Sequence, residues 1–331
     1  MSFLLNKEYD VAKMHLANRL VFESIGTETA DENGKVTDKM LDWYREKSKG
    51  YGLAILEHAH VSKWGKASDH MLSVCEDEDI PGLKRITDLF HQNGCKVQLQ
   101  LDHGGGWSVP ALRGCLDPKN NPEGKFVATD LTKDQIKGII DDFAAAAYRA
   151  KQAGFDGVQI KACHVYLLSN FYSPLTNKRN DEYGADCLEN RLRIILETVR
   201  AVREKVGEDY SVSIRFSCED FTEGGSTVED FVQSIKVLEQ TGIDLLDISG
   251  GPKYRFINPN SNEPGYFKSY GKIAKEAINI PVIVTGGITT AEQAEELLEG
   301  GYTDLVGVCR ASVKNENWAQ EALFYCSAMD F

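Results

Sequence analysis

Eight short apolar segments recur along the 331 residues of the chain, with helical patterns between them. The segments are Arg19–Ser24, Leu53–Val61, Lys96–Asp102, Gly157–Ala162, Ser211–Phe216, Leu245–Gly250, Pro281–Gly286 and Asp304–Cys309. Continuous apolar runs such as PVIVTG and DLVGV are typical of strands that are buried on both faces. Because parallel strands need a helical crossover between them, this alternation indicates an α/β protein with a (β/α)8 or TIM barrel.

The stretches between the predicted strands carry helix signals. Most open with a Ser, Thr or Asp cap or an early acidic residue, and they close on Gly or Asn. The predicted helices are Thr37–Gly50, Asp79–Asn93, Thr132–Gly154, Cys187–Gly207, Thr227–Gly242 and Thr290–Gly300. No linker, repeat or low-complexity tract divides the chain, so we predict one domain over residues 1–331.

Two connections are longer than the others, residues 103–131 and 163–186. Each follows a predicted strand, which places it at the carboxyl end of the barrel, where barrel enzymes carry their active sites. Long loops without secondary structure are usually functional in a compact domain. We therefore expect both to be structureless active-site loops.

Composition excludes several classes of function. A formal net charge of −13 argues against nucleic acid or an anionic membrane as a partner. The N-terminus shows no secretory signal, and no apolar run approaches the roughly 20 residues of a membrane span. The eight cysteines include no CxxC pair, so free thiols and no metal centre are expected. These features predict a cytoplasmic enzyme for a small-molecule substrate and leave the oligomeric state, including a homo-oligomer, open.

Three hydrogen-bonding side chains lie within six residues at one strand end: Lys161, His164 and Tyr166. An ordinary connecting loop does not need a cation, an imidazole and a phenol together. In a parallel barrel, this position predicts catalytic residues.

The last two predicted strands end in features suited to an anion. Gly286 and Gly287 follow the seventh strand, and Cys309 and Arg310 follow the eighth. Backbone amides freed by glycines, with a helix start and an arginine nearby, predict a phosphate site. Tight turns are the alternative role for the glycines.

Two polar residues lie in otherwise apolar strands. Gln100 can both donate to and accept from the edge of an amide-like ring, although it could instead satisfy neighbouring backbone. Arg215 is buried in its strand and needs an anionic partner. That partner is either a ligand or a barrel carboxylate such as Glu57.

Several stretches together resemble the old yellow enzyme family of FMN-dependent ene-reductases, in particular the barrel of 2,4-dienoyl-CoA reductase. They are NRLVFESIGTET, GLAILEHAHVS, QLQLDHGGG, HVYLLSNFYSPLTNKRNDEYG with LENRLR, SIRFS, TGGIT and DLVGVCRA. The long string with YLL, SP and YG is highly specific to the family, and the matching pieces span almost the whole chain. The resemblance implies a TIM barrel that binds FMN and is reduced by NADH or NADPH.

The resemblance also implies cofactor roles. Gln100 would bind the pyrimidine edge of the flavin, and Arg215 would face its N1/O2 region. Ser24 and Thr27 would lie along the flavin. The FMN phosphate would be held by Gly287 and Arg310 with the neighbouring amides of Gly286 and Cys309.

For catalysis, the resemblance implies hydride transfer from the flavin to the β-carbon of an α,β-unsaturated carbonyl or carboxyl compound. Tyr166 matches the tyrosine that protonates the α-carbon. His164, with Lys161 at the other position of the pair, would bind the electron-withdrawing oxygen and stabilise the enolate.

The chain departs from the family pattern at four positions. Lys161 replaces the usual histidine, and pairing with a local carboxylate is the alternative to a role at the substrate. Gly26 stands where the family tunes the flavin with Thr or Cys, although Thr27 could substitute. Gly106 replaces a frequent arginine, and Val165 replaces the glycine before the tyrosine. These departures bear on the substrate class.

Further expectations concern the reductant and the barrel mouth. The cysteine cluster and the FAD and NAD(P)H domains of the dienoyl-CoA branch are not expected here, so electrons would come from free NAD(P)H or a separate partner. Four aromatic residues would either line the mouth or only cap the barrel: Trp107, Tyr254, Phe256 and Tyr266.

Two other functions stay open. One is a non-redox barrel lyase or isomerase with Lys161 as a Schiff-base nucleophile. The other is a flavin-binding protein whose reductase activity is lost or altered.

Overall fold

A computed structural model describes residues 3–105, 131–251 and 263–329 of the chain. Its strands are β1 Tyr9–Val11, β2 Met14–Leu16, β3 Leu20–Phe22, β4 Leu53–His60, β5 Leu72–Ser73, β6 Lys96–Asp102, β7 Gly157–Ala162, β8 Ser211–Ser217, β9 Leu245–Ser249, β10 Val282–Thr285 and β11 Leu305–Val308. Strands β3, β4 and β6 to β11 are parallel, and β3 pairs with both β11 and β4. The sheet is thus a closed eight-stranded barrel, and the predicted TIM barrel is confirmed.

The barrel strands agree with the predicted segments to within two residues at each end. Every residue of β3, β9, β10 and β11 is buried. Burial on both faces is what a parallel sheet covered by helices requires, which explains why these segments are recognisable as short apolar runs.

The helices are α1 Asp38–Lys47, α2 Ile80–Gln92, α3 Lys133–Gln152, α4 Leu167–Tyr172, α5 Leu188–Val206, α6 Val228–Thr241, α7 Lys268–Ala277, α8 Ala291–Glu299, α9 Arg310–Lys314 and α10 Trp318–Met329. Six of them were predicted. In α3, α6 and α8 a threonine caps the first turn, and the residue three positions later bonds back to the cap. These capping boxes explain why the helix starts could be read from the sequence.

The interpretation of residues 163–186 as a structureless loop was wrong in part. The segment contains α4, whose six residues are all buried. Leu167, Leu168, Phe171 and Tyr172 turn into the core, but six residues are too few for a helical period to be visible in the sequence. Most of the other predicted loop, residues 106–130, lies outside the described residues.

The amino end of the barrel is closed by an antiparallel hairpin of β1 and β2. Val11, Met14 and Leu16 of the hairpin pack on Leu53 and Leu305 at the starts of two barrel strands. This apolar plug fills one end of the barrel, so the polar side chains described below lie toward the other.

Two further observations concern the cysteines and the apolar character of the helices. In agreement with the prediction, the following cysteines are free thiols: Cys75, Cys95, Cys163, Cys187, Cys218 and Cys309. Among the described residues, none of the helices has the length and apolar character that crossing a membrane requires.

Candidate active site at the carboxyl end of the barrel

Lys161 is the penultimate residue of β7, and its ammonium group is buried among polar side chains. Its Nζ lies 3.2 Å from Oδ2 of Asp102 and 3.0 Å from Nδ1 of His58. Nδ1 of His58 in turn lies 2.8 Å from the same Asp102 oxygen. Lys161 thus pairs with a local carboxylate, Asp102, while its role at the substrate stays a prediction.

The three groups of this cluster shift one another's protonation. Burial alone would raise the pKa of Asp102, but Lys161 and His58 lower it below its usual range. Burial lowers the pKa of Lys161, and the charge of Asp102 opposes that change. Burial and the nearby Lys161 lower the pKa of His58. The carboxylate 3.2 Å from Lys161 Nζ favours the ammonium form of the lysine, and the lowered pKa of His58 leaves its imidazole neutral at pH 7.

Tyr166 lies against this cluster. The Nζ atom of Lys161 is 3.5 Å from the centroid of the Tyr166 ring, which places the cation on the ring face. The His58 ring meets the same ring at 86°, with the centroids 5.4 Å apart. The Tyr166 ring is thus contacted by both a cation and an imidazole ring.

His164 precedes Tyr166 in a strained connection. Its Nε2 lies 2.6 Å from Oγ of Ser249, at the end of β9. Burial and the charges of Arg215 and Lys161 hold its pKa well below the ordinary value, so the ring is neutral at pH 7. His164 and Val165 both have φ of 61°, a left-handed conformation that is costly for a β-branched residue.

The remainder of the 163–186 segment supports this connection. Nδ2 of Asn177 donates to the carbonyls of Phe171 and Tyr183, and the guanidinium of Arg179 pairs with Asp181. Residues of the NKRNDEYG string thus fold the segment onto α4. Their role in the described contacts is architectural.

A row of buried polar side chains crosses the barrel. Oγ of Ser24 donates to Oε1 of Gln100 at 3.1 Å, Nε2 of Gln100 donates to Gln159 at 2.6 Å, and Nε2 of Gln159 donates to Asp247 at 3.2 Å. Gln100 therefore bonds other side chains in the row. The alternative in which it satisfies neighbouring backbone receives no support from these contacts.

Arg215 lies at the end of this row, between two carboxylates. It donates to Glu23 at 2.6 Å, and its Nε lies 3.3 Å from Oδ2 of Asp247. Arg215 thus has carboxylate partners, but Glu57 as the example was wrong, and the contact of Arg215 with a ligand stays a prediction. Glu57 lies on β4 and bonds Thr27 and Tyr44 instead.

Thr27 follows β3 and is fixed by Glu57. Its backbone N–H and its hydroxyl both donate to the Glu57 carboxylate, at 3.3 and 2.7 Å. Tyr44 donates to the same carboxylate at 2.9 Å. Burial raises the pKa of Glu57 to about 7, although these hydrogen bonds oppose the change. The exposed Gly26 beside Thr27 carries no side chain toward the site.

The predicted phosphate residues converge at the ends of β10 and β11. Gly286 and Gly287 have φ of 122° and 70°, which glycine adopts without strain. A Cβ on Gly286 would lie 2.4 Å from the Tyr266 ring. Arg310 begins α9 and is exposed, and it interacts with the Tyr266 hydroxyl. Tyr266, one of the four aromatic residues expected at the mouth, thus packs on this turn. The other three, Trp107, Tyr254 and Phe256, lie outside the described residues. Gly106, one of the departures from the family pattern, lies outside them too.

The polar atoms of this barrel end fit a bound FMN. Several polar atoms of the described residues at this barrel end are buried without a hydrogen bond, among them Oγ1 of Thr285 and Nε of Arg215, whose contact with Asp247 is an ion pair without hydrogen-bond geometry. Buried polar atoms are normally satisfied, so an oxygen- and nitrogen-rich ligand is the type of partner these atoms require. The glycine turn and the Arg310 guanidinium suit the terminal phosphate of such a ligand.

The sequence analysis missed three of the groups that organise the site. His58, Asp102 and Glu23 each lie near the carboxyl end of a predicted strand, and all three fall within stretches that carry the family resemblance. Residues two apart share a face of a strand. Since Asp102 follows Gln100 at that spacing, it could have been assigned to the same barrel face.

Comparison with known proteins agrees with this geometry. Residues 6–323 match the family described as NADH:flavin oxidoreductase / NADH oxidase. An NADPH dehydrogenase from Listeria welshimeri is 34% identical over 321 residues, which are 96% of this chain and 94% of that protein. An NADH oxidase from Thermoanaerobacter brockii is 34% identical over 328 residues, 96% of this chain and 50% of that protein. The chain thus spans about half the length of this NADH oxidase.

Among solved structures, an old yellow enzyme homologue from Zymomonas mobilis superposes with a TM-score of 0.81 at 21% identity. The match covers 98% of this chain and 93% of that one. At this identity the likeness establishes the barrel fold.

Proposed function

The chain belongs to the NADH:flavin oxidoreductase / NADH oxidase family, the FMN-dependent NAD(P)H oxidoreductases of old yellow enzyme type, and from this premise we propose that it reduces activated alkenes. Its substrate is an α,β-unsaturated carbonyl or carboxyl compound. Tyr166 supplies the proton to the α-carbon, and bound FMN, once reduced by NADH or NADPH, supplies hydride to the β-carbon.

The observation that carries the proposal is the setting of Tyr166. Its ring lies against the Lys161 ammonium at the barrel end that also bears the Gln100–Arg215 row and the glycine turn. A general acid needs a proton-bearing group beside the cofactor face, in surroundings that tolerate the anion left behind. Tyr166 is the phenol in the described site that meets this requirement.

The cofactor would be held by the predicted residues. Gln100 and Ser24 offer amide and hydroxyl groups to the flavin edge, and Arg215 offers a guanidinium. Gly287 and Arg310, with the amides of Gly286 and Cys309, would receive the phosphate. Thr27 would contact the ring system from the β3 side, its hydroxyl oriented by Glu57.

His164 is the group we assign to the substrate oxygen. A neutral imidazole can donate one hydrogen bond to the oxygen on which enolate charge develops. Its pKa, held well below the ordinary value by burial and nearby cations, keeps it neutral throughout the physiological range. Lys161 is committed to Asp102, so a single donor replaces the usual pair.

The ion pair with Asp102 also disfavours the non-redox alternative. A Schiff-base nucleophile must be an uncharged amine, whereas a carboxylate 3.2 Å away favours the ammonium form. Failure of borohydride to trap a carbonyl compound on Lys161 is the expected result.

The first test is an anaerobic titration of the protein loaded with FMN. We expect NADH or NADPH to bleach the visible flavin bands, and an enone or an unsaturated carboxylate to restore them. A protein whose bands bleach but are restored by neither class of alkene would contradict alkene reduction and favour the altered flavoprotein. A protein that takes up no FMN would contradict the cofactor assignment.

A pair of arginine variants tests the phosphate site. Arg310→Ala should weaken FMN binding by about 10- to 100-fold, because one or two charge-assisted hydrogen bonds to phosphate are lost. Arg85→Ala is the matched control, since Arg85 is on α2 and pairs with exposed Asp38. Equal FMN affinity in both variants would refute the assignment of Arg310.

A further inference from the structure

The position of Lys161 is fixed more tightly than a substrate-binding side chain requires. Its ammonium is buried, and Asp102 and His58 contact it from two neighbouring strands. Asp102 and His58 also contact each other, so the three groups brace one another. The Tyr166 ring occupies a further side of the ammonium, with its centroid 3.5 Å from Nζ.

A cation on a ring face interacts differently with a phenol and with a phenolate. The neutral ring offers only its quadrupole, which attracts the cation weakly. The phenolate adds a full negative charge, partly delocalised over the same ring, so the attraction to the ammonium increases on deprotonation. Burial of Lys161 strengthens this difference because little water screens the pair.

We propose that Lys161 is a positioning residue for the acid rather than a ligand of the substrate: braced by Asp102 and His58, its ammonium stabilises the Tyr166 phenolate that remains after proton transfer. The inference rests on the proposed role of Tyr166 as proton donor. In the step concerned, the O–H bond of Tyr166 breaks, the proton forms a C–H bond at the substrate α-carbon, and the electron pair stays on the phenolate oxygen. A proton from water then restores the phenol.

Other ionisable groups surround Lys161 and Tyr166, and their charges also act on the phenol. They are Glu28, His58, Asp102, Cys163, His164 and Arg215. Both imidazoles have lowered pKa values, and burial raises the pKa of the Cys163 thiol to about 12, so these three groups are uncharged at neutral pH. Asp102 pairs with Lys161 from the side of β6, Arg215 faces its own two carboxylates, and Glu28 is exposed to solvent.

This arrangement gives a physical reason for the departure at position 161. A histidine there would be neutral when buried and would act as a hydrogen-bond donor to a ligand. A lysine braced by a carboxylate stays charged, and its flexible stem allows the charge to reach the ring face. The substitution therefore moves the electrostatic assistance from the substrate oxygen to the acid.

The test is an ultraviolet titration of the tyrosinate band in the FMN-loaded enzyme without substrate. The Tyr166 component is obtained by subtracting the titration of a Tyr166→Phe counterpart for each variant. In Lys161→Met the pKa of Tyr166 should rise by about one unit or more. Lys161→Arg, which keeps a cation, should restore part of the change.

Two further variants guard the interpretation. Lys161→Met leaves Asp102 buried with only His58, and an unpaired carboxylate would itself raise the pKa of Tyr166. The double variant Lys161→Met/Asp102→Asn removes both charges and should still show an upward shift, smaller than that of the single variant, if the fold is kept. Lys151→Met is the matched control: this lysine lies 5.5 Å from the Tyr210 ring on the helical layer, and its loss should leave the Tyr166 titration unchanged.

An unchanged Tyr166 titration in both Lys161 variants, with weakened binding of an unsaturated carboxylate, would overturn the inference and assign Lys161 to the substrate. Because the titration needs no turnover, it is independent of alkene reduction. A raised pKa in a protein that reduces no alkene would support the electrostatic pairing and refute only the proposed function.

Discussion

The two ends of the barrel differ in the side chains that they bury, which are apolar at one end and charged at the other. At the amino end, hairpin residues such as Met14 and Leu16 pack on apolar strand residues such as Leu53. At the carboxyl end, Lys161, Asp102 and Arg215 are all nearly fully buried. Burying apolar surface stabilises a fold, whereas burying charges costs free energy even when they are paired. Apolar packing at the amino end therefore offsets the free energy that burying charges costs at the carboxyl end.

The largest expected effect is a loss of activity when the carboxyl end is changed. Tyr166→Phe removes the acidic hydroxyl and keeps the ring, so reoxidation of reduced enzyme by an unsaturated substrate should slow by about 10²- to 10⁴-fold. Reduction by NAD(P)H should change little, because Tyr166 donates no proton in that step. Stopped-flow measurement of the two half-reactions tests this prediction, and equal slowing of both would contradict it.

A truncation at the amino end should have the converse effect. Leu16 is fully buried in the plug, so Leu16→Ala should lower the free energy of unfolding by about 2–5 kcal/mol. Turnover per folded molecule should be unchanged. The measurements are urea unfolding and kcat at a temperature where the variant is folded; a loss of kcat would show that the ends are coupled.

Whether an element could be predicted from the sequence depended on how strong its local sequence pattern is. Barrel strands such as Val282–Thr285 are apolar on both faces and were predictable. The hairpin was not, since its strands have three residues each and its Ala12–Lys13 turn lacks the usual Asn or Gly. Helix α10 was missed because only a few of its residues, such as Trp318 and Ala322, are buried.

At the carboxyl end, strand ends could be located but pairings could not. The sequence placed Lys161 and Arg215 in the site, yet several inward-facing carboxylates were available to each. Which one makes contact depends on the stagger of the strands around the barrel, a property of closure rather than of any one segment. That is why Glu57 was a plausible partner of Arg215, whereas Glu23 and Asp247 are the actual ones.

The cost of a buried charge can be measured at Glu57. Burial raises its pKa from 4.5 to about 7, so between these pH values the folded protein binds the proton more tightly than the unfolded chain. Stability from this group should therefore fall as pH rises through that window, by about 3 kcal/mol for a difference of about 2.5 pH units.

Glu57→Gln should remove this component, leaving a flatter dependence of the unfolding free energy on pH between 4.5 and 7. Urea unfolding at several pH values measures it for both proteins. Half-buried Glu76, which pairs with Lys63, offers the control Glu76→Gln, for which the original slope between pH 4.5 and 7 should persist. A slope that survives in Glu57→Gln would show that another group titrates.

The smallest expected effect compares backbone strain at the two ends. Val165, between His164 and Tyr166, and Ala12, in the hairpin turn, both have positive φ, 61° and 46°. Glycine at either position relieves strain but adds freedom to the unfolded chain, so each substitution should stabilise by at most about 1 kcal/mol. The consequences for activity should differ, because only the Val165 backbone lies between two proposed catalytic residues.

Val165→Gly should lower the rate of substrate reduction several-fold as His164 and Tyr166 gain freedom, and Ala12→Gly should leave it unchanged. Thermal unfolding and stopped-flow reoxidation of both variants decide the point: a loss of rate in Ala12→Gly, or none in Val165→Gly, would mean that the strain in the 164–165 connection does not serve catalysis.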